Sequence, residues 1–231
     1  MRNSEQEELL VLLERMRWPE DAVTAAQGTA LQDFRDLFFS EVLAPEEQFQ
    51  IRSITFMFTG LRSSTALYRE RGDAPAYVLV RDDFEVISEG VARYHGAVVK
   101  TIGGAVMAVF VHLTDALDAG LYIHRAFEAQ GAKNRGIVVK ISVHEGPCIA
   151  VNLNGQLDYF GTNVNTAVRL GSQGLGSDVV VDAGTLEEPT VAEILARPGL
   201  HVEHLTVELR GFEEAFDVCR ITEGDRGEGE T

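Results

Sequence analysis

Apolar residues recur along this chain with a period that changes several times, and each change marks an element. Between residues 4 and 43 the spacing is three or four: Leu9, Leu12, Leu13 and Met16 share one helical face, and Leu31, Phe34 and Phe38 share another. Ser4 with Glu7 and Thr29 with Gln32 form capping-box pairs ahead of these faces, and Pro19 and Pro45 punctuate them. Two helices are expected. From residue 51 the pattern shifts to a short apolar run, 54–58, which reads as a buried strand. Tyr77, Val80, Phe84, Ile87, Val91 and Tyr94 then return to helical spacing, a long helix with one apolar seam. The runs AVVKTI (97–102) and AVMAVF (105–110) flank Gly103 and Gly104, and such a pair predicts a tight I′ hairpin with φ > 0 at both glycines.

Thr114 is placed to cap a helix reaching about Gln130, with Asp115 and Asp118 in its first turn, where the helix dipole favours negative charge. Ile137, Val139, Ile141 and Val143 alternate as a strand. The order β-α-β-β-α-β predicts an α+β, ferredoxin-like (split βαβ) domain with helices packed on one face of an antiparallel sheet. A shorter hairpin (148–151 and 157–160), a helix over about 162–173 and strands near 178–181, 201–209 and 214–221 extend it. The expected organisation is a helical extension over 1–50, an α/β sandwich domain over 51–221 and a tail over 222–231, whose EGDRGEGET composition predicts disorder.

Composition narrows the function. A chain of 231 residues that is 45% apolar can bury a core in one domain plus an extension. No run of 18 apolar residues occurs, and the first residues are acidic where a secretory signal is basic, so a cytoplasmic protein with no membrane contact is expected. The net charge of −16 argues against nucleic acid as a partner, because backbone phosphates are bound by a surplus of Lys and Arg. Cys148 and Cys219 lie far apart with no CxxC spacing, so buried thiols are expected rather than a disulfide or a zinc site. His201 and His204 on one strand would face opposite sides, which disfavours a shared metal. His144, beside Glu145, would titrate near neutrality in a structural or surface role. Neither a P-loop nor a dinucleotide fingerprint is present.

FTGLRSSTALY, VVKTIGGAVMAVF, VHEGPCIAV, LDYFGTNVNTAVRL and VELRGFEEAFDV follow one another in an order that resembles the catalytic domain of class III adenylate/guanylate cyclases over residues 52 to 221. The segment TALQDFRDLFFSEVLAPEEQ resembles the lead-in of bacterial members. The resemblance implies a head-to-tail dimer, homodimeric or heterodimeric, with active sites at the interface. One subunit would give two aspartates holding two metal ions, Mg²⁺ or Mn²⁺, and the other the base-recognising and transition-state residues. The family's FTD pattern falls here on Phe58, Thr59 and Gly60, and its KTIGD pattern on Lys100, Thr101, Ile102, Gly103 and Gly104. Gly60 and Gly104 therefore stand where the metal carboxylates belong, so no metal ligand is expected. Asp73, Asp82 and Asp83 lie on the following loop and helix, where nothing aims them at the site.

The opposite half-site is retained. By the same resemblance Lys100 and Asp158 match the pair that selects adenine. Asn165 matches the amide that orients the ribose, Arg169 the guanidinium that stabilises charge on the transferring phosphate, and Arg210 lies near a phosphate-binding lysine of many members. Three readings stay open: a degenerate domain that senses ATP or dimerises in signalling, with residues 1–50 docking a protein partner; a complementary subunit for a complete cyclase; and a residual adenylate cyclase.

Overall fold

The computed structural model describes residues 23–38, 47–62, 69, 72–130, 137–212 and 214–224. The Ser4 cap, the face from Leu9 to Met16, Pro19, Pro45 and all but the first residues of the acidic tail lie outside them. Two short helices, α1 (Ala25–Thr29) and α2 (Gln32–Phe38), come first. The capping box belongs to Thr24 and Gln27, not to Thr29 and Gln32: the Gln27 amide donates to Thr24 Oγ1 at 3.2 Å and the Thr24 amide to Gln27 Oε1 at 2.8 Å. Thr29 closes α1 instead, its hydroxyl donating to the Ala25 carbonyl at 2.7 Å, and Leu31 is exposed. Two Thr-x-x-Gln patterns five residues apart compete here, and packing decides between them.

Strand β1 (Gln48–Arg62) starts inside the stretch expected as helical extension, and helix α3 (Asp73–Arg93) follows. The hairpin β2 (Ala97–Ile102) and β3 (Ala105–Phe110) has the predicted bounds. Only Gly103 has a left-handed φ, 59°, so the turn is of the II′ pattern rather than I′. Helix α4 (Leu113–Gln130) begins one residue before Thr114, which is therefore not its cap. Strand β4 (Val138–Leu153) is continuous where a break was expected. Pro147 on β4 lies across from the extra residues of a bulge in β1, where the register slips between Ile51 and Ile54, so the missing proline N–H leaves no ladder gap. An I′ turn instead joins β4 to β5 (Gln156–Phe160), with φ of 54° at Asn154 and 73° at Gly155. Helix α5 (Thr162–Leu170) runs into a 3₁₀ turn, and β6 (Asp178–Asp182), α6 (Pro189–Leu195), β7 (Leu200–Glu208) and β8 (Ala215–Glu223) complete the domain. Thr222 and Glu223, expected in the tail, are strand.

The main path of the sheet is β2-β3-β1-β4-β6-β8-β7, with β5 paired to β4 and only β4–β6 parallel. Alternation sends Met57, Val106, Ile141 and Val179 to one face, against Val80, Ile87, Leu117 and Ile123 of α3 and α4. It sends Phe56, Phe58, Met107 and Val109 to the other, against Ala30, Leu157, Tyr159 and Ala167. Both faces are thus covered, not one, and that is why residues 54–59 are buried without an exposed gap.

The α3 seam is Ala76, Val80, Asp83, Ile87, Gly90 and Val91, while Tyr77 points outward at 62% exposed. Gly90 is the close approach to α4: a Cβ there would lie 2.5 Å from Ile123 Cγ1. Asp83 is 2% exposed with no hydrogen-bond partner on Oδ2, and burial, helped by the neighbouring Asp82, pushes its carboxyl up to about 6. A raised acid binds more protons folded than unfolded, so stability falls as pH rises from about 4 to 6. Asp83→Asn is expected to stabilise the fold by about 1–2 kcal/mol at pH 7 and to change nothing near pH 4, read as denaturation midpoints.

Candidate functional site

Strands β2 and β5 bring the first predicted pair together. Lys100 follows a bulge, since the β2–β3 register slips between Val98 and Lys100, and such a slip re-aims the side chains beyond it. Its ammonium donates to Asp158 Oδ2 at 2.5 Å, while Asp158 Oδ1 accepts from the Tyr159 amide at 2.9 Å. The aspartate side chain is 7% exposed and the lysine 34%, so the pair opens to solvent from the lysine side. An ammonium with N–H groups to spare beside a carboxylate with a free lone pair offers a donor–acceptor edge that a planar heterocycle can meet.

Helix α5 carries the second set. Asn165 and Arg169, four residues apart, share a face, and the exposed Asn165 side chain makes no hydrogen bond among the described residues. The Arg169 guanidinium donates to the Arg210 carbonyl and sits 5.9 Å from the centroid of the Phe212 ring. Arg210 therefore joins this set through its backbone, and its own side chain is exposed. Among the described residues no hydrogen bond or ion pair links the Lys100–Asp158 pair to the α5 set.

Gly60 opens into a cleft of about 330 Å³ lined also by Phe58, Thr59, Ala105, Lys140 and Val168. Among the described residues nothing lies within 4 Å of where a Gly60 side chain would start. Gly104, at the hairpin, accepts from the Leu61 amide at 2.9 Å. Lys140 is the cross-strand partner of Gly60, and its ammonium donates to the Ser172 carbonyl at 3.4 Å. A divalent cation of the hard type needs carboxylate oxygens, and this lining supplies an ammonium instead, so the residues present do not fit the metal pair that the resemblance implies. Among the described residues no group of three or more His, Cys, Asp or Glu side chains converges on a common point. Sequence reasoning passed over Lys140, because VVKIS reads as an ordinary alternating strand and only the β1–β4 register places it here.

The sequence profile of the adenylate and guanylate cyclase catalytic domain matches residues 46–213. The chain belongs to this family. As a cyclase domain it is similar in fold to adenylyl cyclase CyaB from P. aeruginosa, at 19% identity and a TM-score of 0.65 over 79% of this chain and 100% of that one. It is equally similar to the guanylate cyclase domain of RhGC from Catenaria anguillulae in complex with GTP, at 19% identity and 0.64 over 76% and 98%. The catalytic core of a rhodopsin-guanylyl cyclase with converted specificity, in complex with ATPαS, matches at 20% identity and 0.64 over 77% and 99%. No curated sequence relative matches. Among the described residues of this cyclase domain no helix is long and apolar enough to cross a membrane.

One half-buried polar cluster of the cyclase domain was not foreseen. His144 on β4 places Nδ1 2.8 Å from Asp182 Oδ2 and Nε2 3.0 Å from Asn163 Oδ1. The Asn163 amide nitrogen donates to the Pro147 carbonyl at 2.9 Å, which fixes its oxygen toward the imidazole. Both ring nitrogens therefore face acceptors, the arrangement of an imidazolium. Burial pulls the His144 pKa down, but the bonds to Asp182 and Asn163 outweigh it and the net shift is upward. Burial likewise pushes Asp182 up, and His144 with Thr185 brings it below the usual aspartate value. Gly146 makes room for the cluster: a Cβ there would lie 2.4 Å from Asn163 Cγ.

His201 and His204 take separate partners. His201 Nε2 meets the Gly224 carbonyl at 2.9 Å, and His204 Nδ1 meets Cys219 Sγ at 3.2 Å across β7–β8. Cys148 and Cys219 are free, buried thiols, as expected.

Proposed function

We propose that this cyclase domain binds an adenine nucleotide through Lys100 and Asp158, makes no cyclic nucleotide by itself, and serves as a nucleotide-sensing or dimerising subunit in signalling. One contrast supports the reading. The Lys100–Asp158 pair is held at 2.5 Å, while among the described residues the cleft at Gly60 is lined by Lys140 and Arg62 and by no carboxylate. In such a subunit Lys100 donates to a ring nitrogen and Asp158 accepts from an exocyclic amine, which favours adenine over guanine. Asn165 orients the sugar, and Arg169 reaches phosphate once it leaves the Arg210 carbonyl. Lys140 supplies a further positive charge for phosphate oxygens.

A second cyclase-like domain, the same chain or another, is the partner this reading needs. A guanylyl cyclase domain of similar fold from Blastocladiella emersonii is dimeric, while similar adenylate cyclase domains from Trypanosoma brucei are described in a monomeric state. All missing chemistry lies on the metal side, which favours a second reading: this chain completes one site of a full cyclase domain. Mixing it with such a domain should then raise turnover, and unchanged or lower turnover would remove that option.

Calorimetric titration of the purified protein with ATP and GTP tests the first reading. Lys100→Ala is expected to weaken ATP about tenfold, the loss of one charge-assisted hydrogen bond, and Asp158→Asn to level ATP with GTP. No heat with millimolar ATP would refute nucleotide binding. Cyclic nucleotide above background with Mn²⁺ would refute inactivity.

A further inference from the structure

Helix α2 touches both strands that carry the Lys100–Asp158 pair. Gln32 Oε1 accepts from the Val98 amide of β2 at 2.8 Å, immediately before the bulge that leads to Lys100. One helical turn on, Arg35 reaches β5. Its guanidinium donates to the Leu157 carbonyl at 2.7 Å, to Tyr159 Oη at 3.1 Å and to the Thr29 carbonyl at 3.3 Å, and it lies 5.6 Å from the Tyr159 ring centroid. Leu157 and Tyr159 are the two neighbours of Asp158, and the Tyr159 amide holds Asp158 Oδ1. Arg35 is 6% exposed, so its charge is buried among these acceptors rather than solvated. A buried guanidinium persists only when its planar fork is met by fixed partners, and here those partners frame the aspartate.

From this geometry we infer that Gln32 and Arg35 are positioning residues, with α2 setting the spacing between Lys100 and Asp158. The inference rests on the nucleotide reading above only for its consequence in binding. The lysine strand and the aspartate strand do not pair with each other: β2 pairs with β3 and β5 with β4. Among the described residues, the hydrogen bonds that tie β2 to β5 are thus the Lys100–Asp158 bond itself and the bridge made by α2, beside apolar packing of Ala97 and Val99 in the cluster that holds Leu157 and Tyr159. If α2 shifts, Val98 and Leu157 lose their shared partner and the pair loses its fixed distance. A movement of the N-terminal segment would in this way be felt at the base-recognition edge, whereas Asn165 and Arg169 on α5 would be left in place.

Two variants test it without any nucleotide present. Gln32→Ala removes the β2 contact from a half-buried side chain, and Arg35→Ala removes the β5 contacts. The readouts are the ¹⁵N–¹H signal of the Lys100 ammonium and hydrogen exchange at the Val98 and Tyr159 amides. In the unmodified protein the ammonium, held by Asp158, is expected to give a slowly exchanging signal. Gln32→Ala is expected to speed its proton exchange at least tenfold, and Arg35→Ala to do the same while also exposing the Tyr159 amide. Arg35→Lys should fail to restore the signal, because an ammonium cannot span three acceptors. If Arg35→Ala does not fold, Gln32→Ala decides. An unchanged Lys100 signal in a folded Gln32→Ala protein overturns the inference, as does full rescue by Arg35→Lys. In binding, Gln32→Ala should lower ATP affinity about tenfold and leave GTP unaffected, whereas an equal loss for both nucleotides would make α2 a general stabiliser and overturn it. If the unmodified protein binds neither nucleotide, the nucleotide reading fails and the ammonium signal alone judges the role of α2.

Discussion

A chain carrying Gly60→Asp and Gly104→Asp together is expected to release cyclic nucleotide from ATP and Mn²⁺ at a rate about 10³ above the unmodified protein. The figure comes from restoring about 4 kcal/mol of charge stabilisation at 1.36 kcal/mol per factor of ten. The backbone accepts both changes. Among the described residues Gly60 lies in β1 with open space where its Cβ would stand, and of the hairpin glycines only Gly103 has a left-handed φ, so no backbone strain opposes a side chain at Gly104. Lys140, opposite Gly60, gives an aspartate at that position a counter-charge in the absence of metal.

Each single change supplies one carboxylate where two are needed, so either alone should recover less than a tenth of the gain. Within the double variant, Arg169→Ala should cost about 10²-fold, as removal of one transition-state donor does elsewhere, and Asp158→Asn should erase the preference for ATP. Assay of purified protein by cyclic nucleotide released over hours is sufficient. A folded double variant that stays silent would mean that Lys100, Asp158, Asn165 and Arg169 keep the shape of a half-site without its competence.

How far the sequence carried this follows from which interactions are local. The β2–β3 hairpin, α4 and the alternation of β4 were legible because period and turn residues lie within a few positions of each other. Lys100, Asp158, Asn165 and Arg169 were legible because residue identity at fixed spacing is itself sequence information. The cap was misplaced to Thr29 because Thr24 and Thr29 offer the same pattern. The α3 seam was only partly right because Asp83 is polar and Ala76 and Gly90 are small, although small residues let α4 approach. The continuity of β4 was not legible, because a bulge in a distant strand absorbs Pro147. Helix α6 was missed although Pro189 at its first position is a legitimate start signal. Lys140, Arg35 and the His144 cluster were invisible for one common reason. Each is defined by cross-strand register or by contacts more than 100 residues apart in the case of Arg35, and no local pattern encodes them.

The His144 cluster carries the second large effect. His144 ties β4 to β6 through Asp182 and to α5 through Asn163, so it fixes the helix on which Asn165 and Arg169 stand. His144→Ala removes two hydrogen bonds, at least one of them charge-assisted, and leaves Asp182, with its side chain 25% exposed, without the imidazolium. A loss of about 2–4 kcal/mol is expected, or roughly 5–12 °C in Tm for a domain of this size. The pH dependence has a definite sign. His144 is raised in the fold, so its contribution is complete below the ordinary histidine pKa and is lost as pH rises through the raised value. Asp182 is lowered, so its contribution is present above the ordinary aspartate pKa and is lost as pH falls through the lowered value. The difference in Tm between the unmodified protein and His144→Ala should therefore be widest between about pH 5 and 6 and should shrink toward pH 9, as His144 loses its proton and the Asp182 bond its charge assistance. Glu145, next along the strand, also favours the imidazolium, and Glu145→Gln should move the midpoint of that change slightly to lower pH. A gap that is the same at pH 6 and pH 9 would mean that the imidazole is neutral in the fold, with one of its nitrogens facing a donor rather than an acceptor.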